Sequence, residues 1–450
     1  MSVSPPSPGD NDPGVGTSLA TASPLVAEEA AQDELSSQAA ALTSEVVANT
    51  LGEYLGAWWR RVRSGESGVL PVLGGLIAII VIFQVQNSLF LSGTNIVNLL
   101  QQGVVIVLFG MAEVFVLLLG EIDLSVVYEA GIGAGVMAAL VAPPVNLPWE
   151  VAILGGLGAT TMAGVIQGIL ITRLGLPSFI VTLGGFIGFE GLMLWMFDHL
   201  SIAVGGVIEI SNNIMLDLVG GSLSPLASWV VMAALVVVFG AYMIVRDERR
   251  RASGLVVPPR GLTAIKIGLT AVAGIVLVLV CNVNRGRGGG KVEGVPWAIL
   301  IVLVILSLVT FLLTRTRFGR YVYAIGGNAE AAKRAGISLN RVRTIAFALC
   351  GLMAGLAGLM YLSLLGSIAT NIEPDLVLNA VAAAVIGGTS LFGGRGKAVH
   401  ALLGGIVLAA ITNGLGLLGM GSAATFMITA LVLIAAITVD SVARRGRRAR

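Results

Sequence analysis

Long apolar segments dominate this sequence and recur from about residue 69 to residue 440. A helix that crosses a lipid bilayer needs about 20 consecutive, mostly apolar residues, and many of these segments reach that length. Hydrophobic residues make up 56% of the chain and charged residues only 12%, whereas a soluble domain has about 25% charged residues. Such a composition cannot supply the polar surface of a soluble protein of this length. The sequence therefore predicts an all-α fold, a polytopic transmembrane helical bundle.

The apolar segments divide into twelve predicted membrane spans. The third and the tenth are the weakest, and either could be a short or re-entrant segment. The predicted spans are 69–86, 100–120, 126–142, 149–172, 178–198, 227–245, 264–281, 297–314, 344–365, 377–392, 399–419 and 422–440.

Basic residues near the ends of these spans predict the orientation of the chain, because cytoplasmic loops are enriched in Lys and Arg. Basic residues precede the first span, follow the fourth, separate the sixth from the seventh and the eighth from the ninth, and follow the last. Twelve spans place all of these groups, and both termini, in the cytoplasm. The loop that contains Arg285, Arg287 and Lys291 disagrees, since it would lie outside.

The two ends of the chain differ in composition from the membrane domain, which we assign to residues 67–441. Residues 1–59 contain no Lys or Arg but eight acidic residues, and such a polar, Pro- and Ser-rich stretch is typical of disordered segments. We predict that residues 1–66 form a disordered acidic cytoplasmic tail ending in an interfacial helix, for which a solvated helix is an equally good interpretation. We predict that residues 442–450, which are rich in Arg, form a basic cytoplasmic tail.

Few residues of the chain suit covalent, redox or metal chemistry. Cys281 and Cys350 lie in or beside apolar segments, as small packing residues do. His199 and His400 are far apart in the sequence and lack the spacing of metal ligands. The two Gly-Lys pairs lack the first Gly and the following Ser or Thr of a phosphate-binding loop. We therefore predict no cofactor, no metal, no enzymatic activity and no nucleic-acid partner.

The loop at 315–343, between two predicted spans, is the most informative polar stretch. Strong helix formers follow Asn328 and end before Gly336. Asn is favoured at a helix N-cap and Gly at the C-terminal end, and Glu330 is favourable in the first turn because of the helix dipole. We predict a short helix on the cytoplasmic face, capped at both ends. An ordinary amphipathic interfacial helix is the alternative interpretation.

This loop resembles the coupling segment of ATP-binding-cassette (ABC) importer permeases. Glu330-Ala331-Ala332 followed by Gly336 is similar to their EAA-type motif, and the run from Phe318 to Asn328 is similar to one in sugar permeases of the ribose/xylose branch. The resemblance implies that the loop couples the membrane domain to a separate ATPase. The residues it implies for that coupling are Gly326, Gly327, Asn328, Glu330, Ala331, Ala332 and Gly336.

Four further segments resemble motifs of the same branch and occur in the family order, at 119–126, 176–184, 382–396 and 413–417. The chain departs from the pattern at Glu121 and Val127, which replace glycines, so the turn there should be differently packed or charged. The signature residues within these segments are Asp123, Ser125, Pro177, Thr182, Gly387, Gly388, Thr389, Gly393, Gly394 and Gly396.

Together the five motifs make the chain similar to ABC-transporter sugar permeases of the ribose/xylose branch (branched-chain amino acid/sugar-type inner-membrane permeases). An extra stretch at about 227–290 favours the xylose type. The resemblance implies a ten-span permease core plus an extra hairpin, in the cytoplasmic membrane of a bacterium, that imports a monosaccharide such as xylose or a related pentose or hexose. The implied partners are ATP-hydrolysing subunits, an extracytoplasmic sugar-binding protein, a second permease copy or paralogue, and the lipid bilayer.

Polar side chains inside the predicted spans allow other interpretations, because such groups are expensive in lipid and usually serve a function. Glu113, Glu190 and Asn413 are candidates for the transport pathway. Glu113 and Glu190 would also suit the proton relay of an ion-coupled secondary transporter, and a membrane scaffold or receptor without transport is a third alternative. We interpret Asp123 as a cap at the start of the third span rather than as a sugar contact.

Overall fold

The structure is a computed structural model that describes residues 70–431, except 201, 256, 287–289, 374 and 422, together with 52, 53, 56 and 434. The predicted tails at 1–66 and 442–450 therefore lie almost wholly outside the described residues. Within the described part, the first helices are α1 (Leu70–Gln86), α2 (Gly93–Leu117), α3 (Val126–Val141), α4 (Trp149–Leu174) and α5 (Ser178–His199). Strand β1 (Val207–Glu209), the short helix α6 (Asn213–Gly220), and the helices α7 (Pro225–Ala252), α8 (Arg260–Cys281) and α9 (Trp297–Arg315) follow.

The second half contains α10 (Arg317–Gly327), α11 (Ala329–Arg334), α12 (Leu339–Leu365), strand β2 (Ser367–Ala369), α13 (Asp375–Ile386) and α14 (Ala398–Leu417). Residues 423–431 are also helical and belong to the last predicted span. Strands β1 and β2 pair in an antiparallel two-stranded sheet that joins the segment after α5 to the segment after α12. The predicted all-α bundle is thus confirmed.

Eight helices of the described residues are long and apolar enough to cross a membrane, and three apolar helices of 10–17 residues accompany them. Their positions follow the predicted spans, but several helices begin earlier, as α2 does at Gly93 and α12 at Leu339. Both early starts contain polar residues that an apolar pattern leaves out. The number of twelve spans and the cytoplasmic location of both termini stay predictions.

The tenth predicted span, 377–392, is wrong at its C-terminal end, because α13 stops at Ile386. Twelve residues span only about 18 Å at 1.5 Å per residue, against a hydrocarbon core of about 30 Å. The chain then turns through Gly388, Gly393 and Gly394, whose φ angles of 113°, 81° and 71° are in the left-handed region that favours glycine. The apolar composition of residues 387–392 therefore predicted a continuing span where the chain in fact reverses direction.

Helix α2 forms the centre of the bundle, and every residue from Gly103 to Leu117 is buried. A helix that is apolar on all sides is expected in such a position. Around it, α4 and α12 approach each other closely through small residues. A Cβ atom at Gly164 would collide with the backbone of Phe347, and one at Gly351 would collide with the backbone of Thr160. Close packing of this kind drives helix association in membranes, where apolar surface alone does not.

Helices α7 and α8 form a hairpin outside this core. The chain enters and leaves the hairpin at one place: the Leu223 N–H donates to the Val295 carbonyl at 3.0 Å, and the Trp297 N–H donates to the Gly221 carbonyl at 3.2 Å. Residues 224–294 therefore leave the bundle and return to the same point. This arrangement agrees with the extra hairpin expected near 227–290.

Candidate coupling site

Helix α11 is capped at both ends by the residues that the sequence indicated. The Asn328 side chain accepts a hydrogen bond from the Ala331 N–H at 2.9 Å. At the other end Gly336 has φ +81°, and the N–H groups of Gly336 and Ile337 donate to the carbonyls of Lys333 and Ala332, both at 3.0 Å. This pattern is a Schellman motif, which satisfies carbonyls at a helix end. The prediction of a short, doubly capped helix is confirmed.

The face of α11 turned away from the bundle is polar. Ala332 is buried and anchors the helix, whereas Glu330, Ala331, Lys333 and Arg334 are exposed. Glu330 lies in the first turn and the two basic residues in the last, and both positions are favourable for the helix dipole. One face of α11 is therefore held against the bundle by Ala332, and its opposite face is exposed.

Helix α10, which precedes α11, was not predicted. It begins at an N-cap in which the Thr316 Oγ1 accepts from the Gly319 N–H at 3.2 Å. Gly319, Val322 and Ile325 are its buried residues, and their spacing of three places them on one helix face. That spacing was the available signal, but three glycines and the β-branched residues of this run disfavour a helix by propensity.

The face of α10 contacts two segments that are distant in sequence. The Tyr323 hydroxyl of α10 donates to the Gly396 carbonyl at 2.8 Å. The two segments also contact each other, because the Gly394 N–H donates to the Leu118 carbonyl at 2.9 Å. Gly326 fits between them so closely that a Cβ atom there would collide with the Leu118 carbonyl and the Gly394 nitrogen. We call α10 with residues 118–123 and 387–396 the coupling platform.

Residues 387–396 form the glycine turn of the platform. Beyond the left-handed glycines described above, the Thr389 N–H donates to the Ala384 carbonyl at 2.9 Å and closes the end of α13. Gly387 lies against the backbone of His400, where a Cβ atom would collide with the carbonyl. The glycines of this motif are thus explained by a tight turn at the end of two helices.

The departure from the family pattern at Glu121 forms an ion pair in the platform. The Arg343 Nε lies 3.2 Å from the Glu121 Oε1, a distance suited to an ion pair, although the two groups are not aligned as a hydrogen bond. The neighbouring Ile122 carbonyl accepts from the Thr182 hydroxyl of α5 at 3.3 Å. The other departure, Val127, is buried in the core. The segment after α2 is therefore fixed to both α12 and α5.

The family model described as "Branched-chain amino acid transport system / permease component" matches residues 95–437, which include the whole platform and α11. The chain belongs to this family. The xylose transport system permease protein XylH of Escherichia coli is 32% identical over 386 residues, 85% of this chain and 94% of that one. XylH of Haemophilus influenzae is 32% identical over 383 residues, 85% of this chain and 98% of that one.

The ribose import permease protein RbsC of Bacillus subtilis is 29% identical over 376 residues, 83% of this chain and 94% of that one. No solved structure matches the chain. These relatives show that the chain is an ABC sugar permease of the ribose/xylose type. Together with the long apolar helices, they make it a multi-pass inner-membrane protein.

Three carboxyl groups of the permease converge in its closed core. The Asp123 Oδ1 accepts from the Ser125 N–H at 2.9 Å and from the Ser125 hydroxyl at 2.6 Å, so Asp123 orders the turn before α3. The N-cap residue of α3 is Ser125, not Asp123, and its side chain makes no capping hydrogen bond. The Gln167 Nε2 donates to the Ser125 Oγ at 2.7 Å and to the Glu129 Oε1 at 2.6 Å. The third carboxyl group, on Glu113, is fully buried, and among the described residues no side chain donates a hydrogen bond to it.

The permease does not bring the three pathway candidates together. Asn413 lies near the start of α2, where its Oδ1 accepts from the Asn95 Nδ2 at 2.8 Å. Asn95 and Glu113 lie at opposite ends of α2, about 27 Å apart at 1.5 Å per residue. Glu190 is half-buried on α5 and faces Tyr128 of α3. Pro177, a signature residue, is exposed before the first turn of α5.

Proposed function

We propose that this sugar permease is the membrane-spanning subunit of an ATP-driven importer in which a separate ATPase subunit acts through α11. The observation that carries the proposal is the position of α11, an exposed and doubly capped helix at the edge of the coupling platform. Only Asn328 separates it from α10, which ends with Gly326 and Gly327, and α10 contacts the ends of α2 and α13 through residues 118–123 and 387–396. A displacement of α11 therefore reaches several membrane helices.

The chemistry of α11 suits a protein partner. Its exposed side chains carry both signs of charge, with Glu330 at one end and Lys333 and Arg334 at the other. Opposite charges on a short, rigid helix fix the orientation of a docked partner. Caps at both ends keep the helix formed without that partner, so little conformational entropy is lost on docking.

The direction and substrate of transport follow from the relatives' names. XylH and RbsC are described as permeases for xylose and ribose, and we propose import of xylose or a related pentose or hexose. An extracytoplasmic sugar-binding protein would deliver the sugar at the end that carries the β1–β2 sheet, opposite α11. A second copy of the chain or a paralogue would complete the pathway, in which Glu113, Glu190 and Asn413 stay candidates.

The test of the coupling assignment uses two variants of α11, Glu330→Arg and Gly336→Pro. The first inverts the charge in the first turn, and the second removes the N–H that closes the C-terminal cap. We expect both variants to lose sugar uptake and co-purification with the ATPase subunit, while the affinity for the sugar-loaded binding protein is unchanged. Normal uptake by either variant would refute the role of α11.

The matched control is Glu150→Arg. Glu150 is also exposed and lies in the first turn of a helix, α4, but that end of α4 is remote from α11. We expect this charge inversion to leave co-purification of the ATPase subunit unchanged.

The ion-coupled alternative is tested with the same preparations. Proteoliposomes that contain the permease, the ATPase subunit and the binding protein should accumulate sugar only when ATP is supplied on the side of the membrane that carries the ATPase subunit. Accumulation driven by a proton gradient without ATP would establish the secondary transporter instead. If neither ATP nor a proton gradient drives accumulation while the partners still bind, the scaffold or receptor role is the interpretation that remains.

A further inference from the structure

A cationic cleft lies beside the coupling platform. Its volume is about 900 Å³, and it opens between the end of α9, the first turns of α10 and the start of α14. The basic residues Arg320, Arg395 and Lys397 line it together with His400, and no carboxylate is among its lining residues. Within the described part of the chain, the side chains of Arg320, Arg395 and Lys397 form no hydrogen bond and no ion pair.

The neighbouring basic cluster, at the end of α7, is different. Arg246 pairs with Asp247 at 2.7 Å, and Arg251 and Arg260 both pair with Glu248, at 2.9 and 3.1 Å. That cluster is therefore partly neutralised by its own acids. The cleft instead presents uncompensated positive charge in a concave site, where a complementary anionic group is attracted most strongly.

The N-terminal segment of the chain has the opposite charge. Residues 1–59 contain eight acidic residues and no Lys or Arg. The start of α1 marks the end of the molecule at which this segment joins the membrane helices. Helix α1 packs against α14, and at their C-terminal ends the Asn87 Nδ2 donates to the Leu417 carbonyl at 3.2 Å. The two helices therefore also begin at the same end, where Lys397 of the cleft immediately precedes α14.

The length of the segment is compatible with reaching the cleft. A flexible chain has a root-mean-square extension of about 5–6 Å times the square root of its residue number. A chain with as many residues as separate position 34 from the start of α1 would thus extend roughly 30–35 Å if flexible, and α1 packs against α14, whose first residue follows Lys397 of the cleft. Because both groups belong to one chain, their association is intramolecular and has a high effective concentration.

We propose that the acidic segment at residues 28–45 docks in the cationic cleft formed by Arg320, Arg395 and Lys397. The segment contributes Glu28, Glu29, Asp33, Glu34 and Glu45. The docked segment would lie next to Tyr323 and the glycine turn, and so beside α11. Given the proposed function, it would compete with the ATPase subunit for this face; the docking itself does not depend on that function.

The test is a distance measurement in the full chain. Two spin labels are placed by Ser36→Cys in the acidic segment and Thr314→Cys at the edge of the cleft; the native Cys281 and Cys350 are buried and are left in place. The protein is reconstituted in nanodiscs of neutral phosphatidylcholine, so that no anionic headgroup competes. We expect a short-distance population at low salt that is lost at about 1 M salt, where the Debye length falls to about 3 Å.

Two charge-matched variants identify the binding surface. Arg395→Gln/Lys397→Gln should abolish the short-distance population, whereas Arg249→Gln/Arg250→Gln, which removes the same charge from the end of α7, should preserve it. Absence of the short distance in the parent protein, its persistence in the cleft variant, or equal loss in both variants would overturn the proposal. Loss on neutralising Arg444, Arg445, Arg447 and Arg448 with the cleft variant unaffected would assign the segment to the basic C-terminus and overturn it as well.

Thermal unfolding of each variant in the same nanodiscs separates loss of docking from loss of the fold. The docking test uses no ATPase and no sugar. A positive distance result with no effect of Glu330→Arg on uptake would keep the docking and refute the proposed coupling function.

Discussion

Two adjacent glycines at the end of α10 have different surroundings. Gly326 is wedged between the Leu118 carbonyl and the Gly394 nitrogen, whereas nothing lies within 4 Å of a Cβ atom placed on Gly327. Both belong to the motif that resembles the coupling segment of sugar permeases, and the sequence assigns them the same importance. The difference between them depends on Gly394 and Leu118, which lie about 70 and 200 residues away in the sequence.

We expect Gly326→Ala to separate α10 from the other two segments of the platform, because the added methyl group has no space. Overpacking of this kind costs about 1–3 kcal/mol, which should appear as a lower thermal midpoint in detergent and as reduced uptake. Gly327→Ala is the control and should change neither quantity. Equal effects of the two variants would contradict the packing described for Gly326.

The fully buried Glu113 distinguishes two mechanisms. An ionised carboxylate without a partner is far more expensive to bury than a neutral polar group, so we expect Glu113→Gln to keep the fold and the thermal midpoint. If Glu113 lies outside the sugar pathway of an ATP-driven permease, this variant should also keep ATP-driven uptake. A well-folded variant that loses ATP-driven uptake would place Glu113 in that pathway. Uptake driven by a proton gradient without ATP in the parent protein, and its loss in the variant, would favour the ion-coupled alternative, in which the residue must carry a proton.

At the scale of elements, α11 is a helix of six residues whose stability depends on its ends. Isolated helices shorter than about 12–15 residues are marginal in water. The Asn328 side chain and the Gly336 turn supply hydrogen bonds that the short helix cannot supply itself. The caps therefore determine whether this face of the permease is ordered before a partner arrives.

We expect Asn328→Ala to destabilise α11 by about 1 kcal/mol, the usual effect of losing an N-cap side chain. Asn328→Asp, which retains an acceptor, should restore the helix. Hydrogen exchange of the Ala331 amide, the donor in the cap, measures this directly. Similar exchange rates in the Ala and Asp variants would show that the side chain does not hold the helix.

The elements illustrate what local sequence can and cannot reveal. Helix α11 was predicted with its caps because an N-cap, helix formers and a terminal glycine are all local signals. Helix α10 was not predicted, because its apolar face depends on packing against distant segments. The predicted span at 377–392 extended beyond the end of α13, because glycines within an apolar run cannot be told from a membrane span by composition. The meeting of Leu118, Gly326 and Gly394 depends on tertiary structure, and no local pattern indicates it.

At the scale of the whole molecule, the permease is a core with one insertion. The hairpin of α7 and α8 begins and ends at hydrogen-bonded neighbours, Leu223 with Val295 and Gly221 with Trp297. Its main contact with the core is the small cluster of Val97, Val278, Cys281 and Val295. Lipid chains can cover the apolar surface that the hairpin leaves, because they are as apolar as the side chains they replace.

We expect a chain in which residues 224–294 are replaced by a short Gly-containing linker to fold and insert in the membrane. Gel filtration in detergent and thermal unfolding measure this. The control deletion, residues 126–174, removes α3 and α4 from the core and should leave no folded protein. An unfolded product from the first deletion would show that the hairpin is required for the core to form. Uptake by the shortened chain would further show whether the hairpin serves transport.

Helix α12 has an attachment at each end. Its first turns pair with Glu121 through Arg343 next to α11, and strand β2, which follows its last residue, is held in the sheet with β1. Its 27 residues give a length of about 40 Å, enough to cross the hydrocarbon layer completely. Because α12 is held at both faces, we expect a displacement imposed on the α11 side to reach the loops of the opposite surface through this one helix. Substitutions that destabilise the middle of α12 should then uncouple the two surfaces without unfolding either.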